Sequence, residues 1–173
     1  YWSTSVRFQY DPWNDDDRLT RGGPIARSPS GTSVRLRLNS DGRRAAVGSG
    51  SFSWSSDVAG GWSRGVQLNL NVRFRETLQI RIGPSYAWSL RTAQHVARVG
   101  DSLATQTFET RYVFADMKRS KISRETQVNL SFSPTLSLQM YLEPFVSTGD
   151  YGALKEFRAP GTFDFLEYGR DVG

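Results

Sequence analysis

The longest regular pattern in the sequence lies between residues 66 and 90, where apolar and polar side chains alternate at every second position. The apolar side chains occupy the even-numbered positions, and most odd positions hold arginine, asparagine, glutamine or serine. A period of two predicts β-strands with one apolar and one polar face. The alternation breaks only around Arg75-Glu76-Thr77, which predicts two antiparallel strands joined by a tight turn. Each strand reaches about ten residues, whereas strands of soluble proteins average about five or six.

The same alternation recurs along the chain and predicts seven long strands in total. The further segments are residues 2–10, 33–39, 44–55, 122–132 and 136–142, the third of them glycine-rich and less regular. Beyond residue 146 the pattern dissolves, and the sequence predicts irregular structure there.

The predicted connections fall into two classes that alternate strictly along the chain. Tight turns are expected at Asp41-Gly42, which fits a type I′ hairpin, and at residues 75–77 and 133–135. Long polar connections are expected at residues 11–32, 56–64, 91–121 and after 146, with 91–121 forming an extended hairpin. In an up-and-down sheet this order places all tight turns on one side. Bacterial outer-membrane barrels have that asymmetry.

These features predict an all-β, antiparallel up-and-down transmembrane β-barrel segment. Seven is an odd number, whereas single-chain bacterial barrels have an even number of strands, so residues 1–173 are expected to form a single portion of a larger barrel. Even-numbered side chains are expected to face lipid: Leu68, Leu70, Val72, Phe74, Leu78, Ile80, Ile82, Trp88, Val128, Leu130, Phe132, Leu136, Leu138 and Met140. Polar side chains opposite them are expected to line the lumen: Arg35, Arg37, Asn69, Asn71, Arg73, Gln79, Arg81, Gln127, Asn129 and Gln139. A structural ladder of hydrogen bonds across the strands, without transport, is the alternative role for this second set.

Composition narrows the classes of function. The chain has no cysteine, which excludes disulfides and thiolate metal sites, and no apolar run approaches the roughly eighteen residues of a membrane-spanning helix. The formal net charge of +5 suits an anionic partner. Single-strand nucleic-acid surfaces place basic and aromatic side chains together. Here the arginines alternate with the aromatics, so no nucleic-acid partner is expected.

Other candidate sites have weak sequence support. The run Asp15-Asp16-Asp17 with Asp11 offers carboxylates for Ca²⁺, but its spacing fits no EF-hand, and a solvated loop is the simpler interpretation. The single histidine, His95, lacks a spacing that indicates a Ser-His site. Carboxylates near the C-terminus do not form a recognisable glycosidase pair. We therefore expect no enzymatic activity, metal or cofactor.

Several segments resemble a family of bacterial outer-membrane proteins of unknown function. Residues 111–117 (RYVFADM) resemble an RYVFADL segment, and residues 133–139 (SPTLSLQ) with Glu143-Pro144-Phe145 resemble a TPTLSLQLYAQPF-like hairpin. Residues 151–169 and the LTRGGP at residues 19–24 are similar to further family segments. In that family, a periplasmic module resembling carbohydrate-binding family 9 precedes the barrel. The resemblance implies that this chain lacks that module, earlier strands and a closing C-terminal hairpin.

The pattern and the resemblance together predict a protein of the outer membrane of a Gram-negative-type bacterium. We expect a conduit or surface-binding barrel with a polar lumen. One alternative is a non-conducting barrel that anchors a periplasmic module or partner subunits, and another is a soluble β-sandwich binding domain. The expected partners are outer-membrane lipid and lipopolysaccharide, other envelope subunits and a glycan ligand.

Overall fold

A computed structural model describes residues 1–171, and over that range the chain is all-β. Only one short 3₁₀ turn, Thr105–Thr107, interrupts the strands and loops, and no helix among these residues is long and apolar enough to cross a membrane. The strands are β1 (Ser3–Asp11), β2 (Asn14–Asp16), β3 (Ala26–Ser28), β4 (Gly31–Asn39), β5 (Ala46–Asp57), β6 (Trp62–Arg75), β7 (Leu78–Gly100), β8 (Thr110–Ser133), β9 (Leu136–Leu142), β10 (Phe145–Phe157) and β11 (Phe165–Glu167).

One antiparallel sheet contains all of these strands except β2 and β3, which form a separate two-stranded ribbon. Its strands follow the order β1-β4-β5-β6-β7-β8, and β9 and β10 both pair with β8. The sheet is open, because β1 pairs only with β4 at one edge and β9 and β10 form the other long edge. The antiparallel all-β prediction is confirmed, and no closed barrel is present among residues 1–171.

Strands β9 and β10 act as one long strand with a break at Glu143-Pro144. β9 pairs with the C-terminal part of β8, from Thr126 to Ser133. β10 pairs with the N-terminal part of β8, from Val113 to Ser123. Proline has no N–H to donate to the ladder, so the pairing is interrupted at this position. Counting the two as one gives the seven long strands that the sequence predicts.

The predicted tight turns are confirmed at two places and wrong in type at a third. β6 ends at Arg75 and β7 begins at Leu78, and β8 ends at Ser133 and β9 begins at Leu136. The Asp41-Gly42 connection is instead a six-residue loop, and neither residue has the positive φ of a type I′ turn. The carboxylate of Asp41 accepts the N–H of Arg43 at 3.0 Å, which stabilises a wider turn.

Two predicted irregular segments are ordered strands instead. The expected long loop at 56–64 is a four-residue turn at 58–61, because the Asp57 carboxylate accepts the N–H groups of Ala59 and Gly61, both at 2.9 Å. The strand β10 continues to Phe157, where the sequence predicted loss of pattern. Its neighbour β8 holds it in register, with one bulge between Tyr151 and Leu154 that disturbs the alternation.

The predicted extended hairpin at 91–121 is confirmed. β7 and β8 pair from Leu78 to Gly100 with two bulges and reach well beyond the end of β6, which stops pairing with β7 at Leu90. Residues 12–30 and the segment after β10 pack against this extension. We call this assembly the loop-end cap.

The buried apolar side chains of residues 1–171 all lie in the loop-end cap. They surround Phe114, which is fully buried and contacts Phe157 and Phe165 at ring-centroid distances of 5.0 and 5.3 Å. The long loop joins this cluster through Ala26, and its backbone binds the C-terminal segment at Arg27 N–H to Thr162 carbonyl, 3.1 Å. The cap therefore has a small core of its own, and the long sheet has none.

Candidate functional site

The strand register sorts most of the predicted site residues onto two opposite faces of the sheet, because directly paired residues share a face. All ten predicted lumen residues lie on what we call the polar face. Eleven of the predicted lipid-facing residues lie on the opposite, apolar face. The other three, Phe74, Phe132 and Leu136, lie at bulges beside the tight turns, where pairing does not define a face.

Every predicted lipid-facing side chain on the apolar face is exposed or half-buried, and none is buried. Leu70 pairs with Ile82, and Val72 pairs with Ile80, which pairs with Val128. The exposed fraction of Leu70 is 46%. Nothing in residues 1–171 packs over this face as a second layer.

The total accessible surface area also shows that no second layer covers the sheet. It is 11844 Å², whereas a compact monomer of 19.5 kDa exposes about 8,500 Å² by the usual scaling with mass. The excess of roughly 3,300 Å² indicates that the long sheet is not folded over a core of its own.

The polar face has two halves of different chemistry. Near the tight turns, amide and guanidinium side chains from four strands form rows: Arg73, Gln79, Asn129 and Gln139 are paired in sequence across β6 to β9. The Gln79 amide donates to the Asn71 side-chain oxygen at 2.9 Å. The side-chain oxygen of Asn129 in the same row is buried without a hydrogen-bond partner, so this half is a polar row with a single side-chain bond among these residues.

Nearer the loop end, the polar face forms what we call the basic trough. Its floor is built from serine, glycine and alanine on β5, β6 and β7, with Ser53, Gly65 and Ala87 in one paired row. The same row has Arg35 at one end and Lys121 at the other. Arg7 pairs with Arg35 and extends this row onto β1. Neighbouring rows add further basic and hydroxyl side chains: Arg37, Arg119, Ser51, Ser55, Ser63, Ser85 and Ser89.

Three adjoining clefts in the trough share Ser53 as a common wall. Two of them, of about 280 and 210 Å³, also share Arg35, and the third, of about 270 Å³, extends to Lys121. Gly65 keeps the floor open, because a Cβ at that position would lie 2.9 Å from the Ser53 hydroxyl oxygen. The small side chains thus create the volume, and the basic ones border it.

The basic side chains of the trough have no carboxylate partner among residues 1–171. None of the seven ion pairs in that range includes Arg7, Arg35, Arg37, Arg119 or Lys121. Arg7 and Arg35 are moreover paired directly across β1 and β4, and like charges in that position destabilise a sheet. The trough is therefore a surface of uncompensated positive charge.

By contrast, Arg111 in the loop-end cap is paired with two carboxylates, Asp101 and Glu156. Glu156 is 7% exposed and accepts two hydrogen bonds from Arg111, at 2.9 and 3.0 Å, and one from the Tyr168 hydroxyl at 2.8 Å. Asp101 and Glu156 together hold the pKa of Arg111 above its usual value. These carboxylates lock three segments together, and Glu156 is a structural residue of β10.

His95 lies in the same cap, on the part of β7 beyond Leu90. Neither ring nitrogen has a hydrogen-bond partner, and the ring meets Phe114 edge-on at 5.7 Å. Burial, together with the positive charges of Arg21 and Arg98, lowers its pKa below the usual value. No serine contact supports a nucleophilic site here.

The acidic run of the long loop also has a structural role. Burial would raise the pKa of Asp16, but hydrogen bonds from the N–H groups of Arg18 and Leu19 and from the Ser28 hydroxyl lower it below its usual value. Within residues 1–171, no group of three or more histidine, aspartate or glutamate side chains is arranged to hold a metal.

Sequence reasoning identified Arg35 and Arg37 but missed the other half of the trough. Ser53, Gly65 and Lys121 belong to the site only because β5 to β8 pair in one specific register. The sequence did contain a sign of this site. If the apolar even-numbered residues of neighbouring strands pair with one another, the odd-numbered residues also pair, and the small ones of β5, β6 and β7 then lie in rows with the basic ones. Comparisons with protein-family models, with curated proteins and with solved structures gave no match.

Proposed function

We propose that the long sheet is a sector of a β-barrel in the outer membrane of a Gram-negative-type bacterium, with its apolar face against lipid and its polar face lining a water-filled lumen. The observation that carries the proposal is an aliphatic face with no second layer over it, on which Leu68, Leu70 and Leu138 are 52%, 46% and 51% exposed, in a molecule that exposes roughly 3,300 Å² more than a compact monomer. Exposed apolar patches of soluble monomers rarely exceed a few hundred Å². Hydrocarbon is the environment in which such a face is stable.

The dimensions of the apolar face agree with a bilayer. Along β7 the apolar positions run from Leu78 to Leu90, twelve residue steps of about 3.4 Å each. At a strand tilt of about 40° this length covers about 31 Å, close to the roughly 30 Å hydrocarbon thickness of a bilayer. Tyr86 and Trp88 stack at 5.0 Å toward one end, where an aromatic girdle belongs.

Two arginines lie on the apolar face, Arg64 near the loop-side end of the apolar band and Arg124 at its middle. The guanidinium of Arg64 lies 5.2 Å from the Trp62 ring centroid, at the loop-side end of the band. Arg124 is exposed and pairs with Pro84 at the middle of the apolar band of β7, so only an extended side chain brings its guanidinium toward the interface. A charge costs about 2–4 kcal/mol at the bilayer midplane but about 0–1 near the interface, which a long side chain can reach.

As to activity, the basic trough favours a conduit or solute-binding barrel. Small residues leave open volume beside unpaired arginines, an arrangement typical of anion pathways. The non-conducting alternative, in which the barrel anchors other envelope subunits, is favoured by the ordered cap at the loop end. Conductance of the protein in planar bilayers distinguishes the two: steady anion-selective current supports the conduit, and its absence in all salts favours the anchor.

Cysteine labelling tests the orientation of the faces, since the chain has no native cysteine. Ile80→Cys is expected to react only with a lipid-partitioning maleimide, and Arg81→Cys only with a small water-soluble one. Their directly paired partners, Val128→Cys and Gln127→Cys, serve as matched controls and should behave alike. Equal reaction of all four thiols with the aqueous reagent would refute the membrane orientation.

A further inference from the structure

We infer that the basic trough is a binding site for a small solute that carries an oxyanion, a phosphate, sulfate or carboxylate group, and that Arg35 and Ser53 are its central contacts. The inference rests on the proposed function, because the polar face must be open to water for a solute to reach it. It goes further by naming the chemistry of the ligand and the place where it binds.

The first argument is charge. Arg7 and Arg35 face each other across β1 and β4 without a carboxylate between them, and Arg37 follows two positions along β4. In the cap, by contrast, Arg111 is paired with Glu156 at 2.9 Å. Bound oxyanions relieve such repulsion, and the planar guanidinium fork matches their geometry in a bidentate manner.

The second argument is hydrogen-bonding capacity. The hydroxyl groups of Ser55 and Ser63 are 2.8 Å apart on the trough floor, and those of Ser85 and Ser123 are 2.7 Å apart. Each hydroxyl can both donate and accept, so the floor can bind oxyanion oxygens or the hydroxyl groups of the same solute. No carboxylate occupies the three paired rows that form the trough, between residues 5 and 9 of β1 and residues 119 and 123 of β8.

The third argument is size. The trough extends from Arg35 on β4 to Lys121 on β8, four strand spacings of about 4.8 Å, or roughly 19 Å between backbones. The clefts of 210 to 280 Å³ leave room for a small solute beside these basic side chains. An anion at Ser53 lies one strand spacing from Arg35, whereas Lys121 borders the far end of the trough and contacts the Phe145 ring at 4.9 Å.

The test labels Ser53→Cys with water-soluble thiosulfonates of opposite charge. We expect the anionic reagent to react about ten-fold faster than the cationic one, since local potentials of several kT concentrate anions. At Gln139→Cys, on the same face near the tight turns, the two rates should be similar. Inorganic phosphate should slow labelling at Ser53→Cys saturably, at an ionic strength matched with chloride, and should leave Gln139→Cys unchanged.

Two changes at Arg35 separate specific binding from general charge. Arg35→Gln should abolish the protection by phosphate, and Arg35→Lys, which keeps the charge but loses the bidentate fork, should weaken it. Phosphate protection that is linear in concentration, or equal to that of chloride, overturns the site and leaves the water-facing orientation intact. A thiol at position 53 that no aqueous reagent reaches overturns both the site and the proposed orientation.

Discussion

Truncation of Phe114 to alanine should open the loop-end cap and leave the long sheet intact. Phe114 is fully buried and forms aromatic contacts with Phe157, Phe165 and His95. Loss of a buried phenylalanine typically costs about 3–5 kcal/mol. Because this cluster is the only buried apolar core among residues 1–171, we expect that cost to fall on the cap alone.

Hydrogen exchange measures this effect at single amides. Two bonds join the long loop to the C-terminal segment, from Arg27 N–H to the Thr162 carbonyl and from Gly161 N–H to the Ile25 carbonyl. A loss of about 3 kcal/mol raises the open population about a hundred-fold, so the protection of these two amides should fall by about that factor. Amides of the central strands should be unchanged.

A matched control lies in the same strand. Phe132 is 62% exposed next to a tight turn, and its change to alanine should leave the cap amides protected. If Phe114→Ala lowers protection equally across the whole sheet, the cap is not an independent unit and the reasoning is wrong. If it lowers protection nowhere, the aromatic cluster does not hold the segments together.

Three other predictions follow from the site and the fold. Acidification below about pH 6.5 should lower the stability of the cap, because the folded cap lowers the pKa of His95 and the unfolded cap therefore binds more protons. The rate of proteolysis at the long loop measures this loss, and its pH dependence should be weaker in His95→Phe. Gly23→Ala should destabilise the cap by about 1–3 kcal/mol, because its Cβ would lie 2.2 Å from a buried tyrosine ring, whereas Gly42→Ala meets nothing within 4 Å and should melt like the native protein. Leu70→Arg should cost about 2–4 kcal/mol of stability in lipid if the apolar face contacts hydrocarbon, and Asn71→Arg on the polar face should cost much less, both measured by urea unfolding in bilayers.

The alternation of side chains was enough to predict the strands but not their exact partners. The period-two alternation locates β6, β7 and the C-terminal part of β8, because successive side chains there lie on opposite faces of the sheet, one apolar and one polar. The type I′ turn predicted at Asp41-Gly42 was wrong, because the Asp41 carboxylate accepts the N–H of Arg43 in a wider turn that needs no positive φ at either residue. Local sequence contains both options, and the longer-range pairing of β4 with β5 decides between them.

The site was predictable only in part, for a related reason. Arg35 and Arg37 were evident as polar residues within an apolar alternation. The role of Ser53 depends on Gly65 and Ala87 being its neighbours across two strands, and such adjacency arises from register. A small residue carries no signal of its own, because its contribution is the volume that it leaves empty.

The length of the β7–β8 hairpin has a consequence for how its two ends communicate. Thirteen residues separate Ala87, in the trough, from Gly100 at the hairpin tip, about 40 Å of strand. At physiological ionic strength, charges in water are screened within about 8 Å, so some five screening lengths of strand separate the tip from the trough. Changes of charge at the tip, such as Asp101→Asn, should therefore leave the anion affinity of the trough unchanged, and the two ends can vary independently.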